Sequence, residues 1–382
     1  MHPDSDLPRR AEVVVIGGGP AGAAAALTLA RSGVVVALLD AGAKRHPPVG
    51  ETLPPAVRPA LDRLGLRAAL STEGHLPSIG SWSAWGGAEP WGHDQIFNRF
   101  GHGWHIDRRR FDALLREAAR AAGASVAVGA SVVASDRLAG GGYRMRLDDG
   151  TEITASIVLD ASGRSACFAR QRGVRRRALD RLVALVGYVV RRSDAEAEPA
   201  ATLVEATADG WWYSAPLPQD RLVTICMSDA DLVRGIGVST ERWLERLSAA
   251  THTGARALRY GAGLAGPPVV VPASSSRLER FGDIDWLAVG DAAATQDPLS
   301  SEGILVAIES GLEAAAAAAR VLRGDRDGLA VAAAQRETRW QAYLDQLGRH
   351  YKMERRWPDA PFWQRRGGGF RRPAEDETRS VA

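Results

Sequence analysis

The stretch from Val13 to Asp40 limits the possible folds more than any other. Val13-Val14-Val15-Ile16 is a continuous apolar run, as in a parallel strand buried on both faces. It leads directly into Gly17-Gly18-Gly19-Pro20-Ala21-Gly22, which has the form G-x-G-x-x-G. The alanine-rich run from Ala23 to Ala30 predicts a helix, ended by Arg31-Ser32-Gly33. Val34 to Leu39 predicts a second strand, closed by Asp40. Gly17 permits a tight turn, Gly19 lets backbone approach a pyrophosphate, and Gly22 permits close helix–strand packing. The helix start offers free N–H groups and partial positive charge to phosphates. Asp40 stands where a carboxylate can bind ribose hydroxyls. The motif with its flanking strand, helix and acid predicts a dinucleotide site built from Gly17, Gly19, Pro20, Ala21, Gly22, Asp40 and Ala41.

Two later segments select the dinucleotide. Ile157-Val158-Leu159-Asp160-Ala161-Ser162-Gly163-Arg164-Ser165 is a strand running into a glycine turn. Trp286-Leu287-Ala288-Val289-Gly290-Asp291 is another strand, ending in Gly-Asp. It continues through Asp297-Pro298-Leu299-Ser300-Ser301-Glu302-Gly303-Ile304 into a long helical run. In this order, the three motifs resemble the p-hydroxybenzoate hydroxylase superfamily, which includes aromatic hydroxylases, tryptophan halogenases and geranylgeranyl reductases. The resemblance implies FAD as cofactor. It also implies an α/β, Rossmann-like FAD-binding domain with a β-sheet substrate domain and a C-terminal helical segment. It assigns Gly290 and Asp291 to the FAD ribityl chain and Pro298 to the face of the isoalloxazine where oxygen reacts. The helix starting at Gly303 and Ile304 would point at the flavin pyrimidine ring, which is negative when reduced. Asp160 is counted with the cofactor residues. Asp107-Arg108-Arg109-Arg110-Phe111-Asp112 is similar to the family's "DRxxFD" helix start, with Arg108 reaching the cofactor. The alternative there is a solvated helix start with a basic run.

A chain of 382 residues is long for one core and suits two packed domains. The expected FAD-binding domain is discontinuous, over 1–75, 100–180 and 275–330. Residues 76–99 and 181–274 are expected to form the substrate domain, with strands at 182–192, 201–205, 210–216 and 221–228. A C-terminal helical segment is expected over 331–365 and a disordered tail over 366–382. The formal net charge of +3 gives no indication of nucleic-acid binding. Two cysteines, Cys167 and Cys226, without metal or redox spacing suit a reducing, cytoplasmic setting. Met1 to Arg10 lacks the apolar core of a signal peptide, and no run is long and apolar enough to span a membrane. His102 and His105 have no carboxylate or thiol to complete a set, so no metal is expected. A separate nicotinamide-binding unit is not visible. The reductant is therefore NAD(P)H binding transiently or a flavin reductase, and the residues do not choose between them.

Six of the eleven tryptophans, namely Trp82, Trp85, Trp91, Trp104, Trp211 and Trp212, fall in or beside the expected substrate domain. Aromatic walls suit a planar substrate, and core packing is the alternative for each. Trp85, His105, Trp211 and Tyr213 are the candidate substrate-binding residues. Gly50-Glu51-Thr52-Leu53-Pro54-Pro55 looks like a halogenase segment, and Gly210-Trp211-Trp212-Tyr213-Ser214-Ala215-Pro216 matches a second one in part. Halogenases place a lysine between flavin and substrate, yet this chain has no lysine between Lys44 and Lys352. Their chloride-binding "S-T-G" reads Ser301-Glu302-Gly303 here, and a carboxylate repels chloride. Both departures argue against halogenation.

The "GETLPP", "SAWG", "GWHIDR" and "GWWYSAPLP" segments and the C-terminal "ERRWPDAPFWQRR" together resemble the flavoprotein maturases of lysine and glycine oxidases. Those proteins oxygenate a tryptophan of a partner protein during tryptophylquinone formation. The resemblance implies an FAD-dependent monooxygenase acting on tryptophan in a peptide or protein. Glu51 and Glu302, together with Pro298, are the candidate catalytic residues. An arginine partner for Glu51 and a helix-start carboxylate for Glu302 are the structural alternatives. Three other functions stay open: oxidation of a small aromatic or prenyl metabolite, halogenation, and a non-catalytic FAD-binding assembly factor. An exposed C-terminal block of tryptophan and arginine would favour a protein partner, and a packed one would remove that support.

Overall fold

The computed structural model describes residues 7–42, 49–195, 199–236, 239–261 and 263–368. Strand β1 (Arg10–Ile16), helix α1 (Pro20–Arg31) and strand β2 (Val36–Asp40) form the expected unit at the N-terminal end. Helix α2 (Arg108–Ala121) leads into β3 (Ser125–Val128). Asp107 caps α2, its carboxylate accepting from the amides of Arg109 and Arg110. Strand β4 (Glu152–Asp160) lies parallel to β1, with Ile16 beside Asp160, and β5 (Trp286–Ala288) runs parallel along the end of β4. The order β3-β2-β1-β4 is extended beyond β4 by two antiparallel strands, Tyr143–Leu147 and Val132–Arg137. The continuous apolar runs of β1 and β4 follow from this position, because both faces of the sheet are covered.

One face carries α1, α2 and α3 (Gly303–Leu322), whose alanines and leucines bury against Val13, Val15, Leu38 and Leu159. Small residues let α3 approach α1 closely. A Cβ on Gly311 would lie 2.1 Å from the Ala21 carbonyl oxygen. The other face packs Tyr143, Phe168 and Trp286 with Trp340 and Leu344 of α4 (Gly328–Met353).

The second sheet runs in the order 269–272, 182–190, 221–229, 210–217, 201–207, 80–84, 91–94. All neighbours are antiparallel except Ala201–Thr207 with Gly80–Ala84. Four of these strands match the expected ones, with ends moved by one or two residues. Arg191 and Arg192 leave the sheet, their amides bonding to Asp220 and Tyr260 carbonyls. Helices Thr240–Ala249 and Thr251–Tyr260 cover one face, where Trp243 meets Trp212 edge-on at 5.9 Å. The other face receives the end of α4 and helix α5 (Pro361–Gly367).

One open alternative about the C-terminus is decided here, and one expectation is corrected. Phe362 and Trp363 are buried, and the Trp363 indole N–H donates to the Thr207 carbonyl. The C-terminal block therefore packs on its own sheet, and its support for a partner surface disappears. Arg366 was assigned to the tail, but it is the buried end of α5, paired with Asp229 at 2.7 Å. From residue 369 onward the expected tail lies outside the described residues.

Candidate flavin and substrate site

The C-terminal ends of β2, β1, β4 and β5 meet along one edge. The amide of Gly17 donates to Leu39, that of Ala161 to Ile16, and that of Val289 to Asp160. Gly17 has φ +109°, and a Cβ there would sit 2.2 Å from the Ala161 oxygen. Gly22 is equally closed, since its Cβ would lie 1.9 Å from the Gly17 oxygen. Gly19 differs, because its Cβ would meet nothing within 4 Å. It also stands at the N-cap of α1 without a side-chain acceptor. The turn is thus packed tightly behind and open in front, as a pyrophosphate on bare helix-start amides requires. Pro20 opens the helix, and Ala21 buries its methyl beside Gly290.

Asp40 lies at the same edge, with its carboxylate 3.4 Å from Arg116 of α2. Arg116 also donates to the Gly18 carbonyl, which ties α2 to the glycine turn. Sequence reasoning missed Arg116, although it stands eight residues along α2 from Arg108. Ala41 is exposed beside Asp40.

Gly290-Asp291 forms a short 3-10 turn between the starts of α1 and α3. Gly290 takes φ +53° and donates its amide to Ser310. Arg176 donates to the carbonyls of Asp291 and Ala292 at 2.8 and 2.7 Å, leaving the Asp291 side chain exposed on the turn. No motif flagged Arg176, whose role depends on a contact across 115 residues. Pro298 begins the next 3-10 turn, with Asp297 accepting from the Leu299 amide. Helix α3 starts at Gly303 with Glu302 at its N-cap and no side-chain cap bond, so the amides of Gly303 and Ile304 remain open to a negative ring. Glu302 makes no hydrogen bond to those amides, yet it stands at the helix start, as its structural alternative has it. Its carboxyl is raised by partial burial and by Glu309.

Two cofactor assignments are altered by the geometry. Asp160 is fully buried, and its oxygens accept from the Ser162 amide, the Ser162 hydroxyl and the Ala169 amide. It shapes the turn after β4 and has no oxygen left facing outward. Arg108 donates to the carbonyls of Val49 and Gly50 at 2.7 and 3.2 Å and pairs with Asp112. It holds the segment that carries Glu51.

Glu51 is buried where that segment meets the second sheet. The Tyr188 hydroxyl donates to one oxygen at 3.0 Å, and the Gly50 amide to the other at 2.9 Å. Burial raises its carboxyl above the ordinary value, against these bonds and the fields of Arg108 and Arg221. Thr52, next in sequence, touches both the Tyr213 hydroxyl and His105 Nδ1. His105 is fully buried, which lowers its pKa to about 4 and leaves the ring neutral at pH 7. Its Nε2 faces the Ala200 carbonyl at 3.3 Å, and a carbonyl can only accept. The proton therefore sits on Nε2, Nδ1 accepts from Thr52, and Thr52 accepts from Tyr213. Glu51, His105 and Tyr213 thus come together at one junction, with Thr52 and Tyr188 as the partners that sequence reasoning missed.

Trp85 and Trp211 do not join them as a substrate wall. Both are buried, Trp85 donating to the His350 carbonyl and Trp211 to the Tyr351 hydroxyl. Their rings seat α4 and α5, since Trp85 lies 5.3 Å from Trp363 and 5.7 Å from Tyr351. Trp212 and Trp104 are likewise core residues, whereas Trp82 and Trp91 are exposed.

A glycine turn at the head of a parallel sheet, a Gly-Asp turn beside it and an adjoining antiparallel sheet define an FAD-dependent oxidoreductase. The chain belongs to the tryptophan halogenase family, whose model matches residues 87–375, and a pyridine nucleotide-disulphide oxidoreductase model matches residues 11–80. LodB of Marinomonas mediterranea, named as an FAD-dependent oxidoreductase, is 30% identical over 93% of this chain and 96% of its own length. The myxobacterial chondrochloren halogenase CndH, an FAD-dependent halogenase, superposes with TM-score 0.82 at 25% identity, over 94% of this chain and 86% of its own. QhpG, a peptidyl tryptophan dihydroxylase essential for tryptophylquinone cofactor biogenesis, superposes with TM-score 0.74 at 26% identity, over 94% of this chain and 78% of its own. The chain is thus an FAD-dependent flavoenzyme of the halogenase and monooxygenase group. Among the described residues no helix is long and apolar enough to cross a membrane.

Proposed function

We propose that this flavoenzyme is a monooxygenase that hydroxylates tryptophan in a partner protein or peptide, as a step in tryptophylquinone formation. The observation that carries the reading is a chain similar to QhpG over 94% of its length that has no lysine between residues 45 and 351. A glutamate at position 302 in place of the chloride-site threonine supports it further. When bound, reduced FAD supplies the electrons that activate oxygen for electrophilic transfer to an indole ring. Gly19 and the open amides of α1 would hold the pyrophosphate, Asp40 the ribose, Asp291 the ribityl chain and the start of α3 the pyrimidine ring. The buried Glu51 carboxylate is the candidate acceptor for the proton that leaves the ring carbon as the C–O bond forms. Tyr188 holds that carboxylate in place. Tyr213 donates to Thr52 and so presents only oxygen lone pairs to a substrate N–H. The reductant is NAD(P)H or a flavin reductase.

Halogenation is the second reading. By name the relatives favour it, because the family model and CndH are both halogenases. The residues oppose it through the missing lysine and the Glu302 carboxylate. Intact and peptide masses of the protein encoded beside this gene, made with and without this flavoenzyme, test both readings. One added oxygen at a tryptophan, present only with the flavoenzyme, supports hydroxylation. Incorporation of bromine, with bromide and reduced flavin supplied, supports halogenation and overturns the lysine argument. An unchanged partner moves the assignment to a small aromatic or prenyl metabolite. Bound flavin that cannot be reduced and reoxidised marks a non-catalytic assembly factor.

A further inference from the structure

The C-terminal block is absorbed neither by a partner surface nor by the flavin contacts, yet it reaches the flavin-side turn from within. The Tyr351 hydroxyl, near the end of α4, donates to Asp297 at 2.7 Å. It accepts from the Trp211 indole at 3.1 Å. The other Asp297 oxygen accepts the Leu299 amide at 3.0 Å, which closes the turn Pro298–Ser300. The Asp297 amide donates to the Tyr343 hydroxyl at 2.7 Å, about two α4 turns before Tyr351, and that hydroxyl meets Ser275 at 2.7 Å. Asp297 is 2% exposed, so bulk solvent does not compete for these bonds. Tyr351 is held in turn by α5, with the Arg366 guanidinium 5.2 Å from its ring and Arg366 paired to the buried Asp229.

We propose that Tyr351 is a positioning residue for the flavin: it fixes the turn Pro298–Ser300 through Asp297, and makes α4 and α5 an internal brace of the active site. This rests on the assignment of Pro298 to the isoalloxazine side. A turn held at both the carboxylate and the amide of the residue that caps it cannot shift without breaking a buried bond on α4. The aromatic, arginine-rich ending is thereby explained as the structure that seats this brace against the second sheet. Asp297 is faced by Tyr351 and Tyr343 of α4, by Arg366 of α5 and by Asp180. Burial holds its carboxyl up at about 6, while Tyr351, the Leu299 amide and Arg366 pull it down.

The test uses the full chain purified with FAD, and reads the visible flavin spectrum across pH 5 to 8. Tyr351→Phe keeps the ring among Trp85, Phe362 and Trp363 but removes the donor. It is expected to retain FAD, to shift the flavin bands, and to move their pH midpoint up by about one unit. Asp297→Asn is expected to abolish that pH step, and it decides alone if Tyr351→Phe does not fold. Pro298→Ala serves as the control on the turn's location. Bands moved by Pro298→Ala but by neither of the other variants would overturn the brace and leave the turn at the flavin. Bands unmoved by all three would overturn the location itself, and with it the proposal. Reduced thermal stability with an unchanged spectrum and pH midpoint would make Tyr351 structural only, which also overturns it.

Discussion

At the edge of the first sheet the shape of the proposed cofactor site is set mainly by backbone. Gly17, Gly22 and Gly290 supply a turn or a close approach that a side chain would strain or block, and Gly19 leaves open space before the amides of α1. Beside the second sheet the contacts belong to side chains that meet from distant segments: Glu51 with Tyr188, Thr52 with Tyr213 and His105. At Gly17 and Gly22 the first kind of site tolerates no added atom, whereas the second tolerates no lost hydrogen bond. A substitution that adds volume should therefore do most damage in the first region. One that deletes a polar group should do most in the second.

Within the glycine turn the comparison can be made sharper still. Gly17→Val places a branched side chain at φ +109° and into the Ala161 carbonyl, so loss of soluble folded protein is expected. The Cβ of Gly19→Trp meets no neighbour within 4 Å, so the chain should fold with native circular dichroism and emerge colourless, its indole filling the pyrophosphate approach. Asp291→Ala should likewise lose FAD. Normal flavin absorbance in the purified Gly19 and Asp291 variants would contradict the placement of the cofactor.

The second region should answer most strongly at its buried ion pair. Arg366 and Asp229 are 3% and 2% exposed, and the Arg366 guanidinium also covers the Phe362 ring at 3.7 Å. Arg366→Met leaves Asp229 short of its main partner in a dry core. A loss of about 3–5 kcal/mol is expected in urea unfolding. A loss below about 1 kcal/mol would mean that the aromatic packing, and not the pair, fixes α5.

Asp297 gives the next largest effect, and its sign is opposite to that of a paired surface carboxylate. Its carboxyl titrates at about 6 in the folded protein, against 3.8 when exposed. The folded state thus holds the proton more tightly than the unfolded chain. Stability is full below the lower value and falls as pH rises between the two. The fall amounts to at most about 3 kcal/mol, and Asp297→Asn should remove it. Melting curves from pH 4 to 7 that run parallel for the parent and the variant would refute this.

These differences also explain what could be read in the sequence. The glycine turn, the Gly-Asp turn and four strands of the second sheet were legible because each is set by neighbours a few residues away. Arg116, Arg176, Tyr188 and Tyr351 were not, since their partners lie 98, 115, 137 and 54 residues off and no periodicity records such pairings. Asp160 and Arg108 show a related limit. They stand at strand and helix ends as read, but partners within the chain occupy their polar atoms, which the sequence does not record. Trp85 and Trp211 were read as a substrate wall because aromatic content does not distinguish a cavity from a packed helix seat.

The smallest expected effect separates two adjacent arginines. Arg365 also pairs with Asp229, at 2.7 Å, and with Asp231, but its side chain is 42% exposed. Water competes for both partners, and a long side chain must be ordered to hold them. Arg365→Met should cost no more than about 1 kcal/mol, several-fold less than the same change one residue later. The two side chains contact the same carboxylate at the same shortest distance, but Arg366 is buried, bonds it a second time at 3.2 Å and lies over the Phe362 ring. Equal losses would show that the charge on Asp229 matters and its dry surroundings do not. In that case, the second region would be held by charge pairing at its surface and not by the buried contacts that brace α5.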